Sequence, residues 1–196
     1  MISKKITNIL VCGIGGQGVM TAAEIIAQAA VSIGLDAKKT EVAGMAQRGG
    51  VVTSHIRFGE KVLSPAINCG EADILLSFEL AEAYRWLHWL KADGQALINN
   101  NCQEPPVVNL GLYDYPDNAL NEMKKSTQKI KTFDATSVAR DLGNPKLVNT
   151  VMLAAASAFL PFEPDIIKNI IVNKFKAYKP HLAQINSNAF DKGIQL

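Results

Sequence analysis

Cysteine is scarce and scattered in this chain: Cys12, Cys69 and Cys102 are odd in number and never form a C-x-x-C pair. A disulfide framework needs an even set, and a zinc or iron–sulfur site needs about four ligands grouped at short spacing, so neither is legible here. A reducing, cytoplasmic setting fits this cysteine usage best. Long apolar runs are also missing. The longest, Val151 to Leu160, covers about half of the roughly 20 residues that cross a bilayer, and Thr150 and Pro161 bound it. It predicts a buried helix. Lys4 and Lys5 before Ile9 to Cys12 imitate a signal peptide, but Thr7, Asn8 and the glycines from Gly13 to Gly18 interrupt the apolar stretch too early, so no export is expected.

Charge of one sign is lacking as well. Lys and Arg total 20 against 18 Asp and Glu, and a net +2 is too small for the basic footprint of a nucleic-acid binder. The excess is uneven, −3 up to residue 119 and +5 beyond it, but Lys124, Lys129, Lys168, Lys174 and Lys179 are interleaved with apolar residues as on solvated helix faces. What remains is an ordinary globular composition, 48% hydrophobic and 19% charged over 196 residues, which suits one well-filled domain.

Hydrophobic periodicity organises the chain. Ile6 to Cys12 predicts a strand ending at a glycine cluster, Gln17 to Ile33 a helix stopped by Gly34, and Ala37 to Val42 a second strand, together a parallel βαβ unit. Val51 to Phe58 alternates, with Val52, Ile56 and Phe58 on one face and Thr53, His55 and Arg57 on the other, and Gly59-Glu60 suggests a hairpin turn into Lys61 to Leu63. Ala72 to Phe78 predicts a strand covered on both faces, followed by a helix from Glu79 to Lys91. Gln95 to Ile98, Val107 to Leu112 and Lys129 to Phe133 predict further strands, with a short helix at Asn118 to Lys125. Asn144-Pro145, Pro164 and Pro180 open helices in the last third. The expected fold is α/β: a mixed, mainly parallel sheet with helices on both faces, an antiparallel hairpin addition and a helical C-terminal third, all in one domain over 1–196.

Gly13-Ile14-Gly15-Gly16-Gln17-Gly18 is a G-x-G-x-x-G turn between a strand and a helix, where missing side chains let backbone N–H groups and the helix dipole face an anion. Glu41 follows at the end of the second strand, about where a dinucleotide fold keeps its ribose-binding acid, so an independent NAD(P)- or flavin-binding oxidoreductase is one reading. The other is that the glycines serve only a tight turn and close helix packing. Arg48, between flexible glycines in Gly44 to Gly50, stands where it either clamps a phosphate or carboxylate or anchors a surface. His55 has no nearby carboxylate in sequence and reads as a hydrogen-bonded or interfacial histidine. Glu79 complements a helix N-terminus, and Trp86 and Trp89 read as core or subunit-contact residues.

Several stretches taken together are more specific. Gly13 to Val19, Ala43 to Gly50, Ser54 to Gly59, Ser64-Pro65-Ala66-Ile67, Gly70 to Leu76, and Phe78-Glu79 with Glu82-Ala83 and Arg85 resemble, in order, the gamma-type domain of 2-oxoacid:ferredoxin oxidoreductases. The resemblance covers residues 13 to 85 by motif and the remainder by length and general pattern. Ala46-Gln47-Arg48-Gly49-Gly50 is most similar to the indolepyruvate branch. The resemblance implies a complex that decarboxylates an arylpyruvate on thiamine diphosphate and Mg, passes electrons through iron–sulfur clusters to ferredoxin, and forms an aryl-acetyl-CoA. What is left for this chain is to complete the active-site wall or the coenzyme A path with Gly13, Gly15, Gly16, Gln17, Gly18, Arg48, Gly49 and Gly50, or simply to brace the larger chain. No catalytic residue carries over.

The residues themselves argue that this chain does not hold the redox cofactors. A thiamine diphosphate site starts with Gly-Asp-Gly and has a distant Asn pair, whereas Asp93-Gly94 and Asn99-Asn100 lack the first glycine and lie too close together. No cofactor or metal is therefore expected in this chain, and a larger partner with thiamine and iron–sulfur sites is.

Overall fold

The structure, a computed structural model, describes residues 6–43, 49–104, 108, 111, 114–126, 128–176 and 179–196. Strand β1 (Thr7–Ile14) is buried along nearly its whole length because it has a strand on each side and helices on each face. It pairs in parallel with β4 (Ala72–Ser77) and antiparallel with β3 (Val51–Gly59). On the far side of β3 runs β2 (Asp36–Ala43), also antiparallel to it, while β5 (Leu90–Asn99) and β6 (Lys129–Phe133) continue the parallel half, giving the order β2-β3-β1-β4-β5-β6.

The period-two alternation of β1 separates two cores. Ile9 and Val11 point to the face covered by α1 (Val19–Ser32), whereas Leu10 and Cys12 point to the face covered by α2 (Leu80–Trp86). The second face also carries α3 (Ala119–Met123). The C-terminal helices α4 (Ala135–Asp141), α5 (Val148–Ser157), α6 (Pro164–Lys176) and α7 (Pro180–Gly193) pack with α1 on the first. Thr150 to Ser157 are all buried, so the longest apolar run forms a core helix as far as Ser157, beyond which Ala158 is exposed, and no described helix is long and apolar enough to cross a membrane. Helix starts follow local chemistry: Asn144 Oδ1 accepts the Lys146 N–H at 3.0 Å ahead of a 3-10 turn at Pro145–Leu147, and Pro164 and Pro180 open α6 and α7.

Three local expectations differ from the structure. The first two strands are not neighbours, because β3 is inserted antiparallel between them. Lys61 to Leu63 is not a strand: the Asp36 carboxylate accepts the Val62 N–H at 2.8 Å, and the Arg57 guanidinium donates to the Ser64 and Ala66 carbonyls, so side chains rather than a ladder hold this segment. The antiparallel hairpin is β2-β3 instead. The helix expected to reach Lys91 gives way at Trp86 to a 3-10 turn over Leu87–Trp89, and β5 begins at Leu90, opposite Ala72. The register then slips between Ala72 and Ile74. A Cβ on Gly94 would lie 3.0 Å from the Lys91 carbonyl and 3.3 Å from that of Ala72, so a glycine suits this irregularity. Most of Val107 to Leu112 lies outside the described residues.

The C-terminal helix is seated by one small residue. A Cβ on Gly193 would lie 2.6 Å from the Val151 carbonyl and 2.7 Å from Ala154 Cβ, so α7 touches α5 backbone to backbone there. Gly193→Ala is expected to destabilise the chain by about 1–3 kcal/mol through overpacking, seen as a lower melting temperature.

Candidate functional site

The parallel strands β1, β4, β5 and β6 all end at one edge of the sheet, which is where an α/β fold gathers its loops. Because β3 runs the other way, its start lies at the same edge, and the Gly15 N–H donates to the Gly50 carbonyl at 2.8 Å. The glycine turn and the end of the Arg48 stretch are thus joined. Gly49 has φ +76°, a conformation that favours glycine. Arg48 itself, with Gly44 to Gln47, lies outside the described residues.

Three of the turn's four glycines have a visible reason. A Cβ on Gly13 would sit 2.7 Å from Gln17 Oε1 and 3.1 Å from Phe78 Cβ, and Gly16 and Gly18 have φ +105° and +87°. The Gln17 side chain folds back over the strand: its Oε1 accepts the Ile14 N–H at 2.8 Å, and its Nε2 donates to Gln103 Oε1 at 3.0 Å. From α5, Asn149 Nδ2 donates to the Gly18 carbonyl at 2.7 Å, tying the C-terminal helical layer to the turn. A Cβ on Gly18 would stand 2.6 Å from that same nitrogen. Gly18→Ala should therefore cost more stability than Gly34→Ala, where φ is similar at +84° but the space is open. Backbone strain alone is about 1–2 kcal/mol, and the Gly18 variant should exceed it in a thermal or denaturant melt.

Gly18 caps α1 without a side-chain hydrogen bond, and no acid stands in the first turn. The helix's own geometry leaves its first amides without intrahelical acceptors, and its dipole places partial positive charge there. This end opens into a cavity of about 510 Å³. Lys146 and Lys174 line it with Thr21, Thr136, Asn149 and Asn99, a mixture of cations and neutral polar groups. Asn99 is 1% exposed, and its Nδ2 donates to the Phe78 carbonyl at 3.2 Å and to Thr136 Oγ1 at 2.9 Å. Such a site suits a phosphate ester with polar groups attached.

Glu41 is not part of this arrangement. It lies on the edge strand β2, two strand spacings or about 10 Å from β1, and its Oε1 takes the Lys39 ammonium at 2.6 Å. The geometry behind a ribose-binding role, a second strand beside the first, is absent. Nor do the cysteines suit a cluster. Cys12 is buried on the α2-side face of β1 with its thiol pushed well above the usual range by burial, while Cys69 and Cys102 are exposed, and no group of three or more His, Cys, Asp or Glu suited to a metal occurs among the described residues.

A second cleft, about 590 Å³, is lined by Glu79, Glu82, Arg85 and Tyr115. Glu79 and Glu82 are already occupied. Glu79 caps α2 by accepting the Glu82 N–H at 2.8 Å, and it also accepts the Gln103 N–H and the Tyr115 hydroxyl. Glu82 accepts Trp86 Nε1 at 3.2 Å and pairs with Arg85 at 3.3 Å, while burial pushes its carboxyl above the usual range. His55 accepts the Ile67 N–H at 3.2 Å on Nδ1 and packs edge-on against Trp89, a hydrogen-bonded histidine as expected. Trp86 and Trp89 are partly buried against the α2-side core.

The helical side of the cavity escapes sequence reasoning. Asn149, Lys146 and Lys174 come from three different elements and carry no motif; one available signal was Asn149 near the head of an otherwise apolar helix.

Comparison with known proteins covers the same span. The family model described as pyruvate ferredoxin/flavodoxin oxidoreductase matches residues 8–196. The indolepyruvate oxidoreductase subunit IorB of Thermococcus kodakarensis is 36% identical over 195 residues, covering 96% of this chain and 94% of the relative. Its Pyrococcus horikoshii counterpart is 34% identical with the same coverage. Pyruvate oxidoreductase subunit PORC from Thermotoga maritima superposes with a TM-score of 0.73 at 21% identity, over 98% of this chain and 97% of that one, which supports the fold.

Proposed function

Because the chain belongs to the pyruvate ferredoxin/flavodoxin oxidoreductase family, we propose that it is the small subunit of a cytoplasmic 2-oxoacid:ferredoxin oxidoreductase acting on indolepyruvate or a similar arylpyruvate. The observation that carries this reading is the end-to-end similarity to indolepyruvate oxidoreductase subunits, 36% and 34% identical over nearly the whole of both chains. In this reading a larger partner holds thiamine diphosphate, Mg and the iron–sulfur clusters and delivers electrons to ferredoxin, since the described residues here do not group into a ligand set for them.

What this chain adds is a wall of the coenzyme A path. The amides at the start of α1, between Gly18 and Thr21, meet a phosphate with the positive end of the helix dipole, and Lys146 and Lys174 add charge from the helical layer. Gln17 and Asn149 keep the turn in place by holding Ile14 and Gly18. Arg48 supplies a bidentate donor from the neighbouring stretch, whose end is tied to Gly15. Neither nucleic acid nor membrane enters this picture.

Coexpression of the chain with a larger subunit bearing thiamine and ferredoxin-type motifs is expected to give a stable stoichiometric complex on size exclusion. Separate elution of the two chains at micromolar concentration would count against a subunit role.

A further inference from the structure

Strand β2 is eight residues long and closes the sheet, with β3 on one side and, among the described residues, no strand on the other. A long free edge turns alternate N–H and C=O groups to solvent, and folded proteins either blunt such an edge or use it for pairing. The surface around this edge carries apolar groups on both faces. On one face an open groove of about 370 Å³ lies between α1 and β2, with Ala27, Val31 and Ala37 in its lining, and Val31 is 57% exposed. Lys39 reaches Glu24 of α1 at 3.0 Å and Glu41 at 2.6 Å, so Lys39 and Glu41 share this α1 face while Thr40 and Val42 take the other. There Val42 is 60% exposed.

We propose that this edge pairs with the same edge of a second copy of the chain, the two β2 strands running antiparallel about a two-fold axis centred on Thr40. The order of charges along the strand selects that register. A two-fold axis perpendicular to the sheet keeps each face on its own side, so the axis passes through a residue and sets it against its own copy. Of the four central residues, Lys38, Lys39 and Glu41 would each meet a like charge, which is destabilising. Thr40 meets a threonine instead, and on the α1 face Lys39 then stands opposite the partner's Glu41 and Glu41 opposite the partner's Lys39. The four charges alternate in sign around the axis. Lys38 falls opposite the partner's Val42, which its alkyl stem can cover, and the groove of each copy lies along the seam. Exposed ion pairs add little affinity by themselves; they fix register and partner, while the continued ladder and the apolar contacts hold the seam. The inference goes beyond the subunit reading and does not depend on it, and it gives Glu41 a role away from the glycine turn.

The test is the mass in solution of the full chain, read by light scattering across the micromolar range. The unmodified chain is expected at twice the mass of one copy. Lys39→Glu sets two acids face to face across the seam and Glu41→Lys two cations, so each variant alone should dimerise about ten-fold more weakly or worse. An equimolar mixture of the two variants should recover the dimer, because every seam pair then joins an acid to a base. Neither chain regains its internal Lys39–Glu41 pair on mixing, so the recovery is a readout that loss of an internal ion pair would not give. Val42→Lys, which sets a second cation opposite Lys38, is the further variant should a reversed chain not fold, and it too should weaken the dimer. An unmodified chain that stays monomeric throughout the range, a dimer indifferent to the reversals, or a mixture no more associated than its components would each overturn the proposal.

Discussion

Replacing Arg48 by alanine in the assembled complex should raise the apparent KM for coenzyme A roughly 10- to 150-fold and leave that for the arylpyruvate little changed. A charge-assisted hydrogen bond contributes about 1.5–3 kcal/mol, and about 1.4 kcal/mol is a factor of ten. Only the substrate that Arg48 touches should register the loss. The stretch ends at the glycine turn, the Gly15 N–H donating to the Gly50 carbonyl at 2.8 Å. Complex activity should fall by more than the chain's own melting temperature does. Steady-state kinetics with each substrate varied in turn, together with a thermal melt, checks both halves. Unchanged kinetics with weakened assembly would make Arg48 an interface anchor.

The parts of the site that were legible in sequence are those in which one short segment carries its own reason. Gly13 to Gly18 announces a strand-to-helix turn because three positions tolerate no side chain, two of them through positive φ and one through close approach. Glu79 announces its cap because the residue that needs it is three positions away. The alternation of Val51 to Phe58 gave the correct faces for Val52, Ile56 and Phe58.

Adjacency between distant segments was not legible. Periodicity says that Val51 to Gly59 is a strand but not that it slips between the first two, and this decides whether Glu41 stands beside the glycine turn or at the sheet's edge. Lys61 to Leu63 imitated a strand because the restraint on this segment comes from Asp36 and Arg57, whose roles appear only when the chain is folded. The cavity is the same kind of feature. Asn99, Lys146, Asn149 and Lys174 converge from a strand end, a 3-10 turn and two helices, and no spacing rule links them.

We propose that this chain works only as part of a larger enzyme, so its largest effect should be on turnover. We also propose that it contributes to thiamine and ferredoxin chemistry through a surface shared with the larger chain, and obligate surfaces commonly bury more than about 2,000 Å². The glycine turn, the Arg48 stretch and the β3 strand carrying His55 and Arg57 are proposed to lie at or near that surface. The decisive measurement is ferredoxin reduction with indolepyruvate and coenzyme A by three preparations: the coexpressed complex, the larger chain alone, and this chain alone. The complex should turn over, this chain alone should show no rate above background, and the larger chain alone should be inactive or nearly so until this one is added back. Full turnover by the larger chain without this one would contradict the account.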